Sequence, residues 1–160
     1  MSPNIDITVI LDEPRWATVL PSYEAIIENV VHTTLLALGK LIENSQISVV
    51  LADDEFLQRY NKQFRAKDHA TNVLSFPADT SMQFGDDIVN FGDILISLST
   101  LEWEATEQGK TFENHFKHML VHGILHLLGY DHQIDEEAEK MEGLEITILQ
   151  SLGVKNPYTT

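Results

Sequence analysis

The chain contains no cysteine in 160 residues. Disulfides and thiolate metal ligands are thereby excluded, and any zinc site has to be built from His, Asp or Glu. Long apolar runs are also missing: none approaches the roughly 20 residues that a membrane span needs. The first residues, Met1-Ser2-Pro3-Asn4-Ile5-Asp6, lack the basic stretch and following apolar stretch of a secretory signal. The expected location is therefore the cytoplasm, with no membrane partner. Basic residues are scarce: 10 Lys and Arg stand against 25 Asp and Glu, for a net charge of −15. That balance argues against a protein that coats DNA or RNA, because phosphate contacts supply most of such affinity.

Local charge says more than the total. Arg59, Lys62, Arg65 and Lys67 are four of the ten cations and lie close together in the chain. They leave room for a basic groove on an acidic body, or for an ordinary solvated helix face. The length is that of one domain, residues 1–160, and no repeat, low-complexity tract or Pro/Gly-rich linker divides it. Its 43% hydrophobic and 22% charged content is that of a globular protein.

Strands are expected at Ile5 to Leu11, Ile47 to Leu51, Asn72 to Phe76 and Ile94 to Ile96, from alternating or β-branched runs. Between them lie helical stripes. One follows Ser22 through Ala25, Ile26, Val30 and Leu38 to Gly39. Another follows a capping Asp53 through Phe56, Leu57, Tyr60 and Phe64. A third runs from Ser99 to Gln108. The acidic stretch Ala78 to Asn90 reads as a mobile loop. The longest helix is predicted from Thr111 to Leu128, with Phe112, Phe116, Met119, Leu120, Ile124 and Leu127 inward. A last helix starts near Asp135 and buries Met141, Leu144, Ile148 and Leu152, with Gly143 unexplained inside it. The pattern predicts an α+β domain: a small mixed β-sheet packed with about five α-helices.

The chemistry is concentrated in His122-Gly123-Ile124-Leu125-His126-Leu127-Leu128-Gly129-Tyr130-Asp131-His132. Residues four apart on a helix share a face, about 5–6 Å between Cβ atoms, so His122 and His126 can address one ion. The helix must then stop and turn for a third ligand, and Gly129 enters the left-handed region at little cost. His132 completes three sides of a tetrahedron at the end of a central helix. Three imidazoles with a fourth position open describe a catalytic zinc site, since structural sites are closed by four protein ligands. Closure by Asp131 would make the site structural; otherwise Asp131 orients a ligand imidazole. His118, one turn before His122, shares its face, either lining the approach to the metal or simply packed. The spacing matches the metzincin protease signature except that Gly123 stands where those enzymes carry their general-base Glu. The zinc geometry is kept and the peptidase base is gone.

These residues resemble the YbeY family of bacterial rRNA-maturation endoribonucleases. The resemblance extends to Asn61-Lys62-Gln63-Phe64-Arg65 with Thr71-Asn72-Val73-Leu74-Ser75-Phe76-Pro77, to Gly92-Asp93-Ile94, and to Glu139-Lys140-Met141-Glu142. It implies a single α+β metalloprotein domain with zinc on His122, His126 and His132, and Arg65 beside the metal. The implied substrate is single-stranded RNA, in small-subunit rRNA 3′-end maturation and ribosome quality control, with the small ribosomal subunit and its assembly factors as partners. Arg65 is suited to phosphate because its planar fork donates two parallel hydrogen bonds, and His118 is the candidate proton donor. Nickel or another divalent ion suits the same three-His set. Two other classes stay open: a ribosome-assembly factor with a structural zinc, and a zinc hydrolase of another substrate. DNA is not an expected partner, for want of a basic recognition helix.

Overall fold

A computed structural model describes residues 5–67, 69, 71–78 and 88–158. Four strands, β1 (Ile5–Leu11), β2 (Ser45–Ala52), β3 (Val73–Pro77) and β4 (Val89–Ser97), form one sheet in the order β1-β2-β4-β3. β1, β2 and β4 run parallel, and β3 closes the β4 edge antiparallel. Among the described residues six helices surround it: α1 (Arg15–Val19), α2 (Tyr23–Ala37), α3 (Asp54–Arg65), α4 (Leu98–Gln108), α5 (Phe112–Leu127) and α6 (Asp135–Ser151). The fold is α+β with a small mixed sheet, as the sequence predicts, with one helix more. The extra helix, α1, is one turn long, too short for periodicity to reveal. It exists because Trp16 is fully buried, edge-on to Phe112 and Phe116, with its indole N–H donated to the Ala52 carbonyl at 2.8 Å.

Strand alternation divides the apolar residues between two faces. Ile47, Val49 and Leu51 of β2 and Ile94 and Ile96 of β4 face the main core, which α2, α5 and α6 cover. Val50, Ala52, Leu74 and Leu95 face the other way, against Leu57 of α3. β4 is longer than the Ile94 to Ile96 run, because pairing with β2 extends it back to Val89. Of the expected loop at 78–90, residues 79–87 lie outside the described residues, and Val89 and Asn90 open β4.

Two expectations for α3 need correction. Asp53 precedes the helix but makes no side-chain cap to it. Its carboxylate accepts instead from the backbone N–H of Ser99 at 2.8 Å and the Ser99 hydroxyl at 3.0 Å, capping α4 across the sheet end. Phe64, placed on the inward stripe by periodicity, is 55% exposed. By contrast α5 follows its prediction within one residue at each end, and the Thr111 hydroxyl caps it by accepting from Asn114 N–H at 3.1 Å. Among the described residues no helix is long and apolar enough to cross a membrane.

Candidate metal centre and its cleft

α5 lies against β3 so closely that a side chain at 123 has little room. A Cβ there would stand 3.0 Å from Ile94 Cγ2 and 3.3 Å from both Ser75 Oγ and Val73 Cγ2. The Ser75 hydroxyl donates to the Gly123 carbonyl at 2.9 Å, tying strand to helix. This contact sets the last two turns of α5 beside β3. The chain then leaves the helix at Gly129, with φ at +96°, and returns through Asp131. Asp131 Oδ1 accepts from the backbone N–H of His132 at 2.7 Å, so it shapes the turn through the main chain.

His122, His126 and His132 are thereby brought together, one ligand nitrogen from each lying within 4.8 Å of the others. The Nε2 atoms of His122 and His126 are 3.0 Å apart. On its other side, His122 Nδ1 is 2.5 Å from Oε1 of Glu145. An ionised carboxylate only accepts, so the His122 proton belongs on Nδ1 and its Nε2 presents a bare lone pair. Burial, followed by the proximity of His122 and His132, lowers the pKa of His126 and favours the neutral ring that ligates metals. The donor set therefore fits a borderline cation such as zinc, with one side left to the cleft.

Glu145 was not foreseen from the sequence, and it organises the centre from behind. It is 0% exposed, on α6, and its other oxygen takes His118 Nε2 at 3.2 Å and the hydroxyl of Tyr158. Burial by itself would raise its pKa, but hydrogen bonds from His118, His122 and Tyr158 outweigh this and bring it to about 2. The signal for it was present: an acid on the apolar stripe between Met141 and Ile148 needs a buried partner. His118 sits behind His122, 6% exposed and held by Glu145 and Tyr158, and it does not line the cleft. His115 is likewise buried, paired with Glu104 at 2.9 Å.

The cleft in front of the imidazoles has a volume of about 580 Å³. Arg65 enters it from the end of α3 and Lys67 from just beyond, Asn72 from the residue before β3 and Ser75 from β3 itself, and Tyr130 and Asp131 from the turn after α5. Arg65 is exposed but not loose. Its Nη2 donates to the Ser75 carbonyl at 2.7 Å, and its guanidinium carbon stands 5.2 Å over the ring of Phe76. Asn72 is also held, with its amide shared between the Glu104 carboxylate and Met119 sulfur.

A family model described as Endoribonuclease YbeY matches residues 13–153. The chain belongs to this family. Among curated relatives, the Endoribonuclease YbeY of Paramagnetospirillum magneticum is 41% identical, covering 99% of this chain and 98% of its own. That of Francisella tularensis subsp. novicida is 41% identical over 97% of this chain and 93% of its own. A solution structure of TM1509 from Thermotoga maritima superposes with a TM-score of 0.53 at 26% identity, over 94% of this chain and 92% of that one. The family match includes the whole of α3, β3, β4 and α5, so every cleft residue named above falls inside it.

Proposed function

We propose that this chain is a zinc-dependent endoribonuclease cutting single-stranded RNA in the cytoplasm. Its role would be maturation of the small-subunit rRNA 3′ end and ribosome quality control, with the small subunit and its assembly factors as partners. The observation that carries this reading is the convergence of three imidazoles and Arg65 on one open cleft. The names of the relatives support RNA as the substrate class. Nickel or another divalent ion would suit the same donors.

His122, His126 and His132 would hold the metal, which when bound supplies a Lewis acid for a phosphoryl oxygen and ionises water near neutral pH. Glu145 keeps the His122 proton on Nδ1, so that Nε2 stays available for the ion. Arg65, held by the Ser75 carbonyl, presents its remaining N–H groups to a phosphate in the cleft. His118, in contact with Glu145 and not with the cleft, acts by fixing that carboxylate and not as the proton donor. Peptide hydrolysis is disfavoured because position 123 carries no carboxylate.

The test is cleavage of a labelled single-stranded RNA by protein of measured metal content, beside His126→Ala prepared in the same way. Cleavage by the native protein that falls to background in the variant, together with lost metal, is the expected result. Intact RNA with fully metallated, folded native protein would move the metal to a structural role in an assembly factor.

A further inference from the structure

The apolar stripe of α3 does not end in the core. Phe56, Tyr60 and Phe64 form a continuous stack, with centroids 4.8 Å and 5.6 Å apart and planes inclined by 21° and 26°. Phe76 of β3 closes it edge-on to Phe64 at 5.6 Å. Burial falls along the stack, from rings packed against Leu57 and Leu74 to Phe64, which is 55% exposed. Packing alone does not require an aromatic ring at the exposed end. Leu57, fully buried, already anchors α3 to the sheet.

The stack is edged with cations. Arg59 lies 5.6 Å over Phe56 and Arg65 lies 5.2 Å over Phe76. Lys62 and Lys67 are also exposed on this segment, and Lys67 lines the metal cleft, so in a chain of net charge −15 two arginines stand on the rings and two lysines lie close by in the chain. Arg65 belongs to both neighbourhoods: it lines the metal cleft and covers the ring that ends the ladder. Arg65 thus joins the metal cleft to Phe76, the ring that Phe64 meets edge-on. Exposed rings beside a track of positive charge are what an unpaired nucleic acid strand needs, bases on the rings and phosphates on the cations.

We infer that Phe64, with Phe76 and the ladder behind it, is a base-stacking subsite for an unpaired nucleotide flanking the phosphate held at Arg65. This rests on the endoribonuclease reading and adds where the strand leaves the cleft. Stacking accepts any base, so the subsite selects for single strands and favours purines without reading sequence. In a paired strand the base face is already covered by its neighbours, and the ladder has nothing to hold.

The test separates the ladder from the nuclease reading by measuring binding without cleavage. Metal-loaded protein is titrated into a labelled 2′-O-methyl oligoadenylate, checked intact afterwards, and into the same strand carrying one abasic nucleotide at each position in turn. One abasic position should weaken native binding at least about 5-fold. Phe64→Leu should weaken binding of the full strand by a similar factor and abolish the penalty at that position, as a coupled pair must. Phe64→Tyr should restore both. Equal binding by native and Phe64→Leu, or an abasic scan without a sensitive position, overturns the ladder and leaves the nuclease reading standing. Absence of any strand binding by the native protein overturns both.

Discussion

His122 and Glu145 meet across the α5–α6 interface with Nδ1 2.5 Å from Oε1, although 23 residues separate them in the chain. The contact decides which nitrogen of His122 faces the cleft. Glu145→Gln keeps the size of the side chain but removes the charge that holds the proton on Nδ1. Metal affinity should fall about 10- to 100-fold, read by competition with a chromophoric chelator. Unchanged affinity would show that the ring is oriented by packing alone.

Arg65 offers a different separation, because it reaches the cleft without touching the imidazoles. Arg65→Ala should lower cleavage of single-stranded RNA by about 10²-fold, the loss typical of one preorganised charge-stabilising donor. Metal content should stay full. Arg65→Lys should recover only part of the rate, since a point charge cannot reproduce the planar fork. Full activity of Arg65→Ala would remove it from the mechanism.

The Asp53 carboxylate links acidity to stability. Burial would raise its pKa, but the hydrogen bonds from Ser99 and the nearby Arg15 prevail and leave it below its usual value of 3.8. A carboxylate depressed in the folded state stabilises above its unfolded pKa, and that contribution disappears as pH falls through the folded value. Asp53→Ala should cost about 1 kcal/mol at neutral pH. In urea unfolding of metal-free protein, the gap from native should narrow below about pH 4. A gap independent of pH would place the effect in packing and not in charge.

Gly143 interrupts α6 with no structural requirement: it is exposed, and a Cβ there would meet nothing within 4 Å. Gly143→Ala should stabilise the protein by up to about 1 kcal/mol, a rise in melting temperature of roughly 2–4 °C. Activity should not change. A lower melting temperature would mean that α6 needs the freedom of glycine in a way its geometry does not display.

What could be read from the sequence was what is local. The three ligands fall within eleven residues, so helical spacing and one glycine turn suffice to assemble them, and the helix that carries two of them was legible almost to its ends. Glu145 and Tyr158 join the centre only through the packing of α6 and the C-terminal segment on α5, which no short window contains. Asp53 was recognised as a cap, but the Ser99 it holds is 46 residues away and arrives there by sheet order. Phe64 shows the limit of periodicity most plainly. Spacing places a residue on a face of a helix, but what covers that face is decided by the length of the sheet beneath it.

Gly123 has a consequence for the routes open to this scaffold. In the sequence it is the missing base of a peptidase; in the fold it is the space into which Ile94, Ser75 and Val73 pack. A Cβ there already stands 3.0–3.3 Å from those side chains, so a glutamate at this position needs them to shift before it can be seated. The two zinc chemistries that share this histidine spacing therefore differ in helix–sheet packing as well as in one residue. Exchanging one for the other asks that contact to loosen, and an intermediate with the new side chain and the old packing carries the crowding before it carries a new reaction.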